Sequence, residues 1–265
     1  MEPSAIASDH HTAFAWRARA RAAGVHLVAS IVVAALVGLL VFSLWYPYPY
    51  REISSGRELF QLVVMVDVVL GPALTFVAFN LAKPRAELRR DLAAIVVLQL
   101  AGLAYGLWTV QLARPVHMVF EYDRFRVVHR ADIPAVLEKF APSGIAVAPL
   151  TGPTLIALRP FRDRNEEFEL TMSALEGLHL SAHPELWQEY ALGRSRVLQA
   201  ARPAAQLVQR FPARADEIAA MLREAGCDAA AVAYLPVVAR KAEAWTALLD
   251  ARSAEVIGYL PLDSF

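Results

Sequence analysis

The chain has 265 residues, 26 basic and 26 acidic side chains for a formal net charge of +0, and a hydrophobic fraction of 57%. A neutral chain exerts no overall electrostatic pull on nucleic acid. Its single cysteine, Cys227, rules out an intramolecular disulfide and reads as a small buried hydrophobe.

The apolar residues are concentrated in the first 112 positions, in three stretches at about 25–46, 59–79 and 92–112. A helix rises about 1.5 Å per residue and the hydrocarbon core is about 30 Å thick, so about 20 apolar residues cross it. Each stretch is long enough, and Asp67 is the only Asp, Glu, Lys or Arg well inside any of them. The first run exceeds the usual 7–15-residue core of a signal peptide and ends in Phe42-Ser43-Leu44-Trp45-Tyr46-Pro47, which is no cleavage site, so it is expected to be a retained span.

Arg17, Arg19 and Arg21 precede the first span, and Lys83, Arg85, Arg89 and Arg90 lie between the second and third. Between the first two, Arg51 and Arg57 are offset by Glu52 and Glu58. Positive charge is retained on the cytoplasmic side. Residues 1–23 are therefore expected as a cytoplasmic tail, 24–112 as a three-helix transmembrane region, and 113–265 as a domain on the far side, the periplasm of a bacterium. Trp45, Tyr46, Tyr48 and Tyr50 suit an aromatic belt in the headgroup layer.

Inside lipid, small and polar residues mark helix contacts. Ser30, Ala34 and Gly38 recur at four-residue spacing in the first span, as do Asp67, Gly71 and Thr75 in the second, while Gln99, Gly102, Gly106 and Thr109 share a face of the third. These faces either pack on one another or receive a partner. Pro72 removes one backbone donor, which frees the carbonyl of Val68 and predicts a kink. A carboxylate at the depth of Asp67 costs about 2.5–3.5 kcal/mol on insertion scales, so Asp67 should be protonated or paired. It is a neutral acid bonded to Gln99 or a freed carbonyl, an acid that recognises a partner's membrane helix, or part of a proton pathway.

After the membrane, Val116–Val128 reads as a strand pair or bent strand. Ile133–Phe140 reads as a short helix, residues 141–153 as a loop, and Glu166–Leu178 and Pro212–Ala225 as helices, the last stopped by Gly226. Val232–Ala239, Trp245–Asp250 and Val256–Leu260 predict a C-terminal antiparallel meander, hence a small α+β domain. No phosphate loop or nucleophile elbow is present. His179 and His183 have i,i+4 spacing but lack a third ligand, and are expected as solvated surface, as are Glu166, Glu167 and Glu169. No catalysis, metal or cofactor is expected.

Several segments carry a family likeness: Gly24-Val25-His26-Leu27, Gly56-Arg57-Glu58-Leu59-Phe60, Asp67-Val68-Val69-Leu70-Gly71-Pro72, Leu98-Gln99-Leu100-Ala101-Gly102-Leu103-Ala104-Tyr105-Gly106, Phe120-Glu121-Tyr122-Asp123-Arg124-Phe125 and Leu235-Pro236-Val237-Val238-Ala239-Arg240-Lys241. On these the chain resembles the TfpX/TfpZ family of type IV pilin accessory proteins. The resemblance implies a bacterial inner-membrane accessory of pilus biogenesis with the major type IV pilin as partner, and no established contact residue. The expectation is a pilin-specific chaperone or assembly factor, in which Asp67, Gly71, Pro72, Gln99, Gly102 and Gly106 line an intramembrane partner-binding groove. A non-selective adaptor subunit that contacts inner-membrane components of the assembly machine is the alternative, ahead of a membrane sensor or transporter subunit.

Overall fold

A computed structural model describes residues 4–224, 231–240 and 244–265; Cys227, Gly226 and Lys241 lie outside them. The chain divides into two compact units, Met1–Val41 with Arg57–Gln111, and Phe42–Gly56 with Leu112–Phe265.

The first unit is helical. Helix α1 (Ser4–Leu40) runs into a π-helical turn (Val41–Trp45). After the short α2 (Tyr50–Ile53), α3 (Gly56–Met65) continues through a second π turn (Val66–Leu70) into α4 (Gly71–Ala78), and α5 spans Arg85–Ala113. Three stretches, Trp16–Trp45, Gly56–Ala78 and Arg85–Ala113, are long and apolar enough to cross a bilayer. The helices outrun the apolar stretches because helical hydrogen bonding continues into the charged flanks. Their large apolar side chains, such as Val25, Leu62 and Leu98, are exposed. Lipid accepts such a surface and water does not.

The second unit is an α/β domain with a mixed sheet, which replaces the expected α+β layout. Its elements are β1 (Pro115–Glu121), β2 (Arg124–His129), β3 (Thr154–Leu158), α6 (Arg164–Leu175), β4 (Trp187–Glu189), α7 (Tyr190–Ala200), β5 (Arg202–Pro203), α8 (Ala205–Arg210), α9 (Ala215–Glu224), β6 (Val232–Val238), β7 (Trp245–Asp250) and β8 (Val256–Leu260). The strand order is β4-β3-β1-β2-β6-β7-β8, with β5 added beside β6. β1 pairs with β3, and β2 with β6, in parallel; the other pairs are antiparallel. The hairpin between β1 and β2 turns at Tyr122, whose φ of 58° is left-handed. Ala135–Phe140 forms the tighter 3-10 helix.

All of β1 is buried, so the sheet is covered on both faces. Met118, Phe120, Phe125 and Val127 point into one cluster with Tyr190 and Val197 of α7. Val119 and Val128 point the other way, toward Leu170 and Ala174 of α6. A register shift between Pro115 and His117 puts Val116 on that second face as well. A third cluster joins Leu207 of α8 and Ile218 and Leu222 of α9 to Val232 and Tyr234 of β6.

The segment between the first two helices belongs to this domain. Ile53 is 0% exposed and shares the first cluster with Tyr50, and Tyr46 is 0% exposed. This corrects the expected headgroup belt. An amphipathic tyrosine ring suits a core as well as an interface, and here the core takes Tyr46 and Tyr50, while Tyr48 stays exposed. Arg114, 2% exposed, fastens the same region. Its guanidinium donates to the carbonyls of Pro149 at 2.6 Å and Ala148 at 3.4 Å, and lies 5.9 Å from the centre of the Trp45 ring. The Gly152 amide donates to the Leu44 carbonyl.

Candidate functional site

In the helical unit, α1, α3, α5 and the second π turn border a groove of about 990 Å³, lined mainly by apolar side chains such as Val25, Val33, Phe60, Val96 and Leu103. Its lining along α1 runs from Arg17 to Val37. Twenty steps of a helix rise about 30 Å, the thickness of the hydrocarbon core. The groove therefore matches the length of a membrane-crossing segment, whereas a lipid chain occupies one leaflet. Arg17 and Arg21 stand at one end, and His26, Asp67, Thr75 and Gln99 supply polar groups along it.

Those four residues are wired together. His26 Nδ1 lies 2.5 Å from Thr75 Oγ1, His26 Nε2 lies 2.5 Å from Gln99 Oε1, and Gln99 Nε2 donates to the Asp67 backbone carbonyl at 3.0 Å. The assigned Gln99 orientation sets the protons. Its amide nitrogen is the donor to Asp67, so its oxygen accepts from His26 Nε2–H. In the neutral imidazole Nδ1 is then the acceptor for the Thr75 hydroxyl. One imidazole thus joins all three long apolar stretches.

The π turn explains why Asp67 offers a carbonyl. In π geometry the donor for residue i is residue i+5. For Asp67 that residue is Pro72, which has no N–H. Sequence reasoning with α-helical spacing assigned the freed carbonyl to Val68. The wider turn leaves the Asp67 carbonyl without that donor as well, and the Gln99 amide fills it. The Asp67 side chain points elsewhere: no hydrogen bond or ion pair reaches its carboxylate among the described residues, and its Oδ1 sits 4.0 Å from where a Cβ on Gly102 would lie.

The six residues singled out from sequence are placed as follows. Asp67 and Gln99 line the groove. Gly71 is buried against the Gln99 side-chain amide, and Gly106 against Val63. Pro72 is in the first turn of α4, and Gly102 lies beneath the Asp67 carboxylate. Of the first span's small residues, Ser30 and Ala34 line the groove and Gly38 packs on Phe60. Sequence reasoning missed the part played by His26. The available signal was an ionisable ring within an apolar helix, where such residues are rare.

Gly71→Ala is expected to expel the Gln99 amide, because the added methyl would overlap it. The expected loss is about 1–3 kcal/mol, read as a lower melting temperature of the detergent-solubilised protein. Gly24→Ala, which meets open space, is the control, and an equal effect from both variants would sink the packing account.

The α/β domain holds further polar clusters. His183, expected at the surface, is 4% exposed. Its Nε2 lies 3.2 Å from Ser173 Oγ and its Nδ1 3.0 Å from Glu185 Oε1. That connectivity is shared with hydrolytic triads, but a triad also needs room for a substrate and donors aimed at an oxyanion. In this structure the three side chains tie α6, through Ser173, to the turn that carries His183 and Glu185. Glu166, expected as a wet helix face, is clamped by Arg159 Nη1 at 2.9 Å and Nη2 at 2.7 Å. The Arg159 guanidinium holds its carboxyl down at about 2.

Residues 14–55, which include His26 and the segment from Phe42, match the family model described as fimbrial assembly protein FimB. The chain is 32% identical over 252 residues to the fimbrial assembly protein of serogroup I from Dichelobacter nodosus, covering 93% of this chain and 96% of that protein. It is 31% identical over 252 residues to the serogroup E1 protein, with the same coverage. Against the protein of serogroups C1 and C2 it is 41% identical over 114 residues, 43% of this chain and 87% of that one. No solved structure matches.

Proposed function

This chain belongs to the fimbrial assembly protein family, and from that premise we propose that it is a non-catalytic inner-membrane accessory of type IV pilus biogenesis that holds the major pilin by its membrane helix before assembly. The observation that carries this reading is a groove of bilayer length whose one acid, Asp67, has no hydrogen-bond or ion-pair partner for its side chain among the described residues. A pilin awaiting assembly needs its apolar helix sheltered and its head kept in place. The groove answers the first need, and the α/β domain answers the second. The resemblance to TfpX/TfpZ accessory proteins supports the same finer assignment.

The packing of the second unit supports a topology. The segment after α1 and the C-terminal domain share one hydrophobic core, which favours one side of the membrane for both. Three crossings then leave the N-terminus and the turn before Arg85 on the other side. The arginines at Arg17, Arg19 and Arg21 favour the cytoplasm for that side, and the domain is then periplasmic.

The test is to solubilise membranes gently, recover the tagged chain and compare wild type with Asp67→Leu. Leaving a buried hydrogen-bonding group without its partner costs about 1–3 kcal/mol, and about 1.4 kcal/mol is tenfold. Pilin is therefore expected with wild type and reduced about tenfold or more in the variant. Equal recovery would move recognition to the α/β domain. Recovery of assembly-machine components without pilin would replace the chaperone reading with that of an adaptor.

A further inference from the structure

The hydrogen-bond inventory of the groove is uneven. Thr75 spends its hydroxyl proton on His26, His26 spends its Nε2 proton on Gln99, and Gln99 donates to the Asp67 backbone carbonyl. The donors nearest Asp67 are thereby fixed in place by one another, and its carboxylate receives none of them. Pro72 is the residue that creates this state. By withholding an N–H from the Asp67 carbonyl in the π turn, it draws the Gln99 amide to the main chain and away from the side chain. Gly71, with no Cβ, lets Gln99 approach that closely.

An acceptor left open in an apolar groove is costly, because no water competes to satisfy it there. A partner that brings a donor to that depth gains the whole difference, and a purely apolar one gains nothing from it. We infer that the groove selects a membrane helix carrying one side-chain proton donor, such as a hydroxyl, amide or amine, on the face turned toward Asp67, and that the His26–Thr75–Gln99 chain is the positioning device that keeps this acceptor open. The groove's length and the depth of Asp67 both favour a helix over a lipid. A phospholipid presents its polar groups at the headgroup layer, whereas Asp67 is about 12 Å from Leu59, where the apolar stretch begins. The inference rests on the reading that a pilin helix occupies the groove.

A double-mutant cycle tests it with the full chain and the major pilin co-expressed in membranes. Each donor side chain in the pilin's membrane helix is changed singly to leucine, against wild type, Asp67→Asn and Asp67→Leu. Pilin recovered with the tagged chain is the readout, and monodisperse elution in detergent confirms that each variant is folded. One pilin position is expected to lose about tenfold with wild type and to show no further loss with Asp67→Leu. Asp67→Asn, which keeps an acceptor oxygen, is expected to retain more pilin than Asp67→Leu. His26→Leu is expected to erase the coupling at that same position, because Gln99 is then free to turn to the carboxylate. Pilin recovered with wild type, but with no position coupled to Asp67, would overturn the donor inference and leave the parent reading standing. Recovery of no pilin with wild type, or of lipid alone, would overturn both.

Discussion

Changing Tyr50 and Ile53 together to alanine is expected to unfold the C-terminal α/β domain, although both residues lie before the second and third apolar helices. Ile53 is 0% exposed and Tyr50 is 7% exposed. The Tyr50 hydroxyl lies 3.3 Å from the Tyr259 hydroxyl on β8 and 3.5 Å from Met118 Sδ on β1. Truncating a buried side chain of this size costs about 2–5 kcal/mol, because transfer energy is lost and a cavity remains. Two such losses in one cluster consume most of a typical domain's margin of about 5–15 kcal/mol. The measurement is limited proteolysis of intact spheroplasts or solubilised protein, following a C-terminal tag. Rapid loss of the tag in the double variant, with Tyr48→Ala resistant, is the expected pattern. Equal resistance of all three proteins would show that the segment is dispensable. By the same account, a fragment beginning at Leu112 lacks part of its own core and is expected to fold only when residues 42–56 are supplied.

The second large effect is on pH. His117 is 0% exposed, with Nδ1 2.6 Å from Thr154 Oγ1 and its ring 4.5 Å from that of Trp187. Burial pushes its pKa down from 6.5 to about 4; the Arg114 charge acts in the same direction, and hydrogen bonds with the backbone of Val147 and Ala146 oppose it. The unfolded chain therefore takes up a proton near pH 6.5 that the folded chain refuses until about pH 4. This contribution to stability is fully present above pH 6.5 and is lost as the pH falls toward 4. A gap of that size is worth on the order of 3 kcal/mol. His129 is lowered by burial as well, so it acts in the same direction. Below that window Asp132 continues the loss. Burial would raise its pKa, but hydrogen bonds from His129 and Arg240 outweigh this and hold it at about 2. Melting temperature measured from pH 8 to pH 4 is expected to fall steeply for wild type and less steeply for His117→Gln. An unchanged slope in the variant would remove His117 from the account.

The three apolar helices, the hairpin after the membrane and the last three strands were legible because each is announced locally. A run of about 20 apolar residues can cross a bilayer whatever follows it, and strand alternation is read within a few residues. Asp67 and Gln99 were legible as well, since polar groups are conspicuous where lipid makes them costly. His26 was harder to read, because its importance lies in contacts with Thr75 and Gln99, 49 and 73 positions away. The same applies to Pro72: its identity announces a missing donor, but only the π turn puts the Asp67 carbonyl within that gap.

The sequence by itself determined three membrane-length helices followed by a C-terminal domain of mixed helices and strands, because hydropathy and periodicity are local properties. Tertiary structure decided the parallel pairings that make the sheet mixed, the recruitment of Tyr46, Tyr50 and Ile53 into the domain core, and the exclusion of the Asp67 carboxylate from the hydrogen-bond chain beside it. Each of these depends on which distant groups meet, and a tyrosine, a strand or a carboxylate carries the same local signal whichever partner it finds.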